Sequence, residues 1–275
     1  HKFTDRYLPG DEPMTRIDAK TARDHAALVA GTYVSSRGSF TNFLSILGLL
    51  GPTSIVPTED GSISLPGLDG LSAAARDWVE VAPFVWRDRN TGERLVAEVK
   101  DGKVVRVSMD AVSPFMVLTP VPASVSTDWI NPALIFALAI VVLTALAWPV
   151  RALVRRNFAA AMPFEGKTRT AYRLSRLFAW LMIAAVIGWM ALILTFSADI
   201  GAIGGPLDWL IHLLRILTPV ASFGLLLSAG WYGWLVWTGK RRWTTKLGAT
   251  LLVLAALPLV WVTVVFNLYG FNMVY

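Results

Sequence analysis

Chemistry-capable side chains are scarce in the apolar half of this chain, and three of them fall together. Asp208-x-x-x-His212-x-x-Arg215 puts an acid and an imidazole one helical turn apart, with a guanidinium three residues further on. At the edge of an apolar run, such a group suits a proton relay or the capture of a lipid headgroup. The plainer alternative is an interfacial half-turn from which Arg215 snorkels outward to water. Elsewhere the residues offer less. His1, His25 and His212 are the only histidines, none stands at metal-ligand spacing with another, and there is no cysteine. Neither a metal site nor a catalytic histidine is expected, and no cofactor. Asp11-Glu12 and Glu59-Asp60 are adjacent acids of the kind that shape turns rather than paired acid and base.

The elements that would position these groups follow from charge and hydropathy. The chain has 275 residues, 55% hydrophobic and only 16% charged, with mean hydropathy +0.53. A disordered tail and a disulfide-stapled module are excluded, and an ordinary cytosolic enzyme is disfavoured. Residues 1–128 carry a net charge of −3 and residues 129–275 a net of +9. The second part holds four uncharged apolar runs, 129–150, 177–198, 216–239 and 247–275. A span needs about 20 such residues, so four transmembrane helices are predicted, at about 129–150, 177–198, 209–238 and 247–268. The chain starts at His1 without a charged-then-apolar leader, which suggests a processed protein or a piece of a longer polypeptide.

Eleven of the twelve basic residues after 128 lie in two connecting segments. Arg151, Arg155, Arg156, Lys167, Arg169, Arg173 and Arg176 follow the first run; Lys240, Arg241, Arg242 and Lys246 follow the third. Basic loops mark the cytoplasmic side. The expected location is a bacterial inner membrane, with residues 1–128 and the C-terminus periplasmic. The +6 charge is then an orientation signal, and nucleic acid is not an expected partner; the lipid bilayer is. The basic segment 151–176 could also meet anionic headgroups. Trp129, Trp148, Trp180, Trp209, Trp237, Trp243 and Tyr269 suit the interfacial belt, whereas Trp189, Trp231, Trp234 and Trp261 read as packing residues. Gly224-x-x-x-Ser228 and Gly230-x-x-Gly233 mark a close-packing helix face.

The predicted architecture is a small antiparallel β domain, a sheet or partial barrel, followed by a four-helix transmembrane bundle. Residues 1–25 read as a linker or tail, 26–125 as an extracytoplasmic β domain and 126–275 as the membrane part. Eight strands are expected at 28–35, 53–58, 62–65, 78–81, 84–88, 94–99, 104–109 and 115–121, with a short helix or helical cover at 39–50. The hairpin over 93–110 is predicted with a three-residue loop, Lys100-Asp101-Gly102. That loop sets Ala97 opposite Val105 and keeps Leu95, Ala97, Val99, Val105, Val107 and Met109 on one face. A two-residue Asp-Gly turn would pair Lys100 with Lys103 and scramble the faces.

The order of these motifs carries a resemblance. Gly31-Thr32-Tyr33, then Glu59-Asp60-Gly61 leading into Ser62-Ile63-Ser64-Leu65, then Val81-Ala82-Pro83-Phe84-Val85-Trp86, then Asp101-Gly102-Lys103-Val104-Val105, is similar to the accessory β domain that follows the catalytic domain in β-lactamase-related, penicillin-binding-protein-like serine hydrolases. Phe3-x-x-x-Tyr7-Leu8-Pro9 resembles the tail leading out of that catalytic domain. The resemblance implies a non-catalytic anchoring and accessory region of a membrane-bound peptidase or esterase, its partner a preceding catalytic domain. The family's S-x-x-K, Y-x-N and H-x-G motifs are all missing, and Lys167-Thr168-Arg169 lacks the glycine of K-T-G; no catalytic residue is assigned. The alternative is a stand-alone membrane subunit whose β domain binds a partner protein in a larger complex. A small transporter is disfavoured by the shortage of polar groups in the spans.

Overall fold

A computed structural model describes residues 15–49, 51–66, 76–110, 112, 115–159, 164–199, 201 and 205–270. His1, the Phe3–Pro9 element and Asp11-Glu12 lie outside them. The chain divides into two compact units, His1–Gly38 with Leu47–Ser126, and Ser39–Ile46 with Thr127–Tyr275.

The first unit is a closed eight-stranded antiparallel barrel. Its strands are β1 (Gly31–Ser35), β2 (Thr53–Pro57), β3 (Ile63–Ser64), β4 (Trp78–Ala82), β5 (Val85–Asp88), β6 (Arg94–Lys100), β7 (Lys103–Met109) and β8 (Leu118–Pro120). Each pairs with the next, and β8 returns to β1 through Tyr33–Pro120, Val34–Thr119 and Ser35–Leu118. All eight predicted strands are present. Closure goes beyond the expected sheet or partial barrel, and it leaves no unpaired edge. Eight strands enclose a space that side chains can fill; Tyr33, Ile55, Trp78, Trp86, Leu95 and Val107 fill it here.

The start of this unit departs from the predicted tail and first strand. A helix, α1, runs from Ala19 to Val29, and β1 begins only at Gly31. The signals are local. Asp18 caps the helix by accepting from the backbone N–H of Lys20 and Thr21 at 3.2 and 3.0 Å. Ala22, Ala26 and Val29 recur at helical spacing and are buried, the last two within the barrel core. Leu28 and Val29, read as the start of the first strand, are the last turn of the helix.

The β6–β7 hairpin corrects the predicted loop. The turn is the two-residue Asp101-Gly102, with φ of 51° and 71°, and Lys100 does face Lys103. The positive φ at both positions matches the twist of the flanking strands. The faces are not scrambled, because the register shifts between Glu98 and Val99. Val105 is the extra residue, 42% exposed, while Ala97 meets Val107 and Leu95 meets Met109 inside. A β-bulge thus restores the inner face one residue after the turn displaces it.

The second unit is built on α2 (Thr127–Asn157), α3 (Gly166–Ala198), α4 (Asp208–Thr238) and α5 (Trp243–Val265). All four are long and apolar enough to cross a membrane. At 1.5 Å per residue they are about 35–50 Å long, so their ends outrun a hydrocarbon core of about 30 Å. An alanine-rich seam, including Ala137, Ala145, Ala179, Ala221, Ala229 and Ala255, forms the shared core. Small residues let helices approach without a hydrophobic drive between them. Gly224 lies against the Phe178 ring with no room for a Cβ, and Gly188 lies likewise against Leu214. A Cβ at Gly230, predicted on the same packing face, would have open space around it.

Of the tryptophans expected to pack, Trp189 does: it is 6% exposed and its indole N–H donates to Thr218 Oγ1 at 2.8 Å. Trp231, Trp234 and Trp261 instead stand on outer faces, 39%, 70% and 43% exposed. Residues 43–49 form a 3₁₀ helix, Phe43–Leu49, in agreement with the predicted cover. Its first part belongs to the helical unit, where Ser45 Oγ donates to the Phe266 carbonyl at 2.9 Å.

Candidate functional site

Asp208, His212 and Arg215 all lie in the first turns of α4. Asp208 opens the helix and His212 is half-buried one turn on. Arg215 is the most deeply placed of the three. It is only 4% exposed, donates from Nη2 to the Tyr269 carbonyl at 3.0 Å, and lies 5.8 Å from the Phe43 ring centroid. It therefore does not snorkel to water. Its guanidinium ties the segment after α5 and the 3₁₀ helix to the bundle, a structural use of an intramembrane charge.

The two basic segments have more geometry than their topological role requires. Arg151 and Arg155 are on the last turns of α2, Lys240–Arg242 link α4 to α5, and Arg176 is on α3. Together these six cations line an open cleft of about 950 Å³ with no acidic residue among its described lining residues. Arg156, Lys167, Arg169, Arg173 and Lys246 stay outside it; Lys246 Nζ sits over the Trp237 ring at 5.3 Å.

Arg176 was expected in a loop. Because α3 begins at Gly166, it lies about 15 Å into the helix and is 8% exposed. Its guanidinium carbon is 3.9 Å from the Tyr172 ring centroid and 4.9 Å from that of Tyr232. Nη1 donates to Ser175 Oγ at 2.7 Å, and no carboxylate pairs with it among the described residues. Phe164 completes an aromatic triad, with ring centroids 4.9 Å from Tyr172 and 5.8 Å from Tyr232. Arg241 lies 5.3 Å from the Phe164 ring. These three rings come from positions 164, 172 and 232, a combination no local pattern reveals; only a tyrosine four residues before an arginine on α3 hints at it.

The barrel holds one pair that resembles the base and orienting acid of a hydrolase. His25 Nδ1 meets Glu80 Oε1 at 2.7 Å, and Glu80 has no exposed side-chain surface. The same oxygen accepts the Phe84 backbone N–H at 2.7 Å. Among the described residues no hydroxyl donates to His25, so the pair lacks a nucleophile. It fastens α1 to the β4–β5 turn, where Phe84 adopts a φ of 59° and its ring stacks on His25 at 4.0 Å. Asp60 is held by Arg16 at 2.9 Å; that hydrogen bond, joined by those of Thr58 and Ser62, keeps its carboxyl well below the usual carboxylate range. Among the described residues no three His, Cys, Asp or Glu side chains group as a metal site. Compared with known proteins, the chain matches no family model, no curated protein and no solved structure.

Proposed function

We propose that this chain is the membrane-anchoring, non-catalytic accessory region of a β-lactamase-like serine hydrolase of the peptidase or esterase class, carrying its barrel on the periplasmic side of a bacterial inner membrane. The supporting observation is where the resemblance motifs fall. Gly31-Thr32-Tyr33 is the start of β1, Ile63-Ser64 is β3, Val81–Trp86 spans the β4–β5 turn, and Asp101–Val105 is the bulged β6–β7 hairpin. Each motif performs a backbone job specific to this barrel: positive φ at Gly61, Phe84, Asp101 and Gly102, and an inward Tyr33 whose hydroxyl donates to the Val29 carbonyl at 2.7 Å. A barrel whose interior is filled by its own side chains is suited to orient a neighbouring domain rather than to carry a ligand inside. The basic ends of α2, α3 and α5 fit a cytoplasmic placement of that end of the bundle.

The test is affinity purification of the native protein followed by labelling with a fluorescent β-lactam or fluorophosphonate. Label is expected on a serine of an S-x-x-K motif, either in the same polypeptide or in a chain that copurifies with it. Absence of any S-x-x-K-bearing domain from both overturns the proposal, and a stoichiometric non-hydrolase companion would establish the partner-binding subunit instead. Orientation is testable because the chain has no cysteine. An impermeant maleimide applied to intact spheroplasts should label Lys103→Cys and spare Lys240→Cys; the reverse pattern refutes the orientation.

A further inference from the structure

A topological signal needs basic residues near a membrane surface, and exposed loop side chains deliver it. It does not need a buried arginine packed against two tyrosine rings, nor a six-cation cleft with no acid among its described lining residues. Burying a guanidinium without a carboxylate partner is unfavourable. Two tyrosine rings offset part of this cost, and the Ser175 hydroxyl supplies one hydrogen bond. Five neighbouring cations work against this by mutual repulsion. The arrangement is electrostatically incomplete, and a bound anion would complete it.

The walls narrow the class of anion. The basic residues share the wall with Thr244 and Thr245 and with Ile140, Leu143 and Leu251, the last three standing further along α2 and α5 from their basic ends. Leu143 is 64% exposed on the outer surface of α2, within the apolar run, so the cleft opens toward the acyl region. We propose that the cleft binds the phosphate group of an anionic amphiphile, with Arg176 as its innermost ligand, Arg151, Arg155 and Lys240 around the headgroup, and the Leu143 side receiving the chain. Planar guanidinium groups favour bidentate contact with phosphate oxygens. The Tyr172 and Tyr232 rings hold the Arg176 plane in place before a ligand arrives. This site is independent of the hydrolase proposal and can fail or stand without it.

The full chain is reconstituted in nanodiscs of zwitterionic phosphatidylcholine, and dioleoyl phosphatidic acid is titrated in, with retained lipid read by native mass spectrometry. Wild-type protein is expected to retain phosphatidic acid at least 10-fold better than phosphatidylcholine. Arg176→Gln and, independently of any folding defect, the exposed lining variant Lys240→Gln should each lower that preference, the former by about 10-fold or more. Arg169→Gln, basic but outside the cleft, should leave it unchanged. Equal loss in Arg169→Gln means surface attraction alone and overturns the proposal, as does no preference in the wild type. A second arm adds millimolar inorganic phosphate: displacement of the lipid to the same extent as by a soluble phosphatidic acid analogue identifies free phosphate as sufficient and overturns the amphiphile assignment.

Discussion

Removing the imidazole of His25 should loosen α1 far more than its partial exposure suggests. Glu80 has no exposed side-chain surface and His25 has 20%. His25 Nδ1 and Glu80 Oε1 share a hydrogen bond of 2.7 Å. Leaving one partner of a buried hydrogen bond unsatisfied costs about 1–3 kcal/mol, and more where that partner is charged. Water can reach the vacated imidazole site, which lowers the figure, while the lost stack on Phe84 adds about 0.5–1.5 kcal/mol. The net expectation for His25→Ala is about 2–4 kcal/mol, or about 30- to 1,000-fold faster amide exchange at 1.36 kcal/mol per decade. Hydrogen exchange of the full chain in nanodiscs reads this on the amides of α1 and of the β4–β5 turn. Glu80→Gln keeps an acceptor for the Phe84 N–H and removes the carboxyl, so the double variant should be less damaged than the two single effects added together, by at least about 1 kcal/mol. His25→Phe separates the terms, retaining the stack but not the hydrogen bond. Additivity within about 0.5 kcal/mol, or acceleration below threefold in His25→Ala, would refute the assignment of this pair as the fastening of α1.

Glycine positions provide a second check on the barrel. Gly61 has φ +83°, and a Cβ there would sit 3.0 Å from that of Ala22, whereas Gly102 has φ +71° with open space around it. Alanine at Gly102 should cost only the left-handed penalty of about 1–2 kcal/mol, while alanine at Gly61 should add a packing cost of about 1–3 kcal/mol; the reverse order in denaturant midpoints would contradict the α1 placement. Acid stability tests Asp60. Its carboxyl is depressed below the unfolded value near 3.8, so its contribution is complete above that pH and is lost as pH falls through the folded value. Asp60→Asn should flatten the acid limb of the barrel's unfolding curve below about pH 4, modestly because Asp60 and Arg16 are half-exposed and screened. Superimposable limbs would remove the Arg16 contact as the cause.

Several elements were legible from spacing alone because their physics is local. Uncharged runs of sufficient length required membrane-spanning helices wherever the rest of the chain lay, since a backbone in hydrocarbon must satisfy its own hydrogen bonds. Short runs bounded by turn residues located the eight strands, the first of them with its start three residues early. The same reasoning failed where two local patterns competed. Ala22, Ala26 and Val29 carried a helical period that the strand-like residues after Ala26 obscured. The hairpin was misread because facial alternation was assumed to be unbroken: a bulge at Val105 is invisible to a rule that counts in twos.

Closure of the barrel, burial of Arg215 and assembly of the basic cleft lay beyond any such pattern. Whether β8 pairs with β1 depends on strand tilt and stagger summed over the whole sheet. Arg215 and Arg176 look alike to a hydropathy window, as basic residues at the ends of apolar runs. One is drawn to the carbonyl of Tyr269 and the other against the ring of Tyr232, 54 and 56 positions away. Composition and spacing were enough to pick out which segments form helices long and apolar enough to cross a membrane and which form strands, because those outcomes depend on neighbours in sequence. The partners of each buried charge depended on neighbours in space, and only the packed helices and the closed sheet supply those.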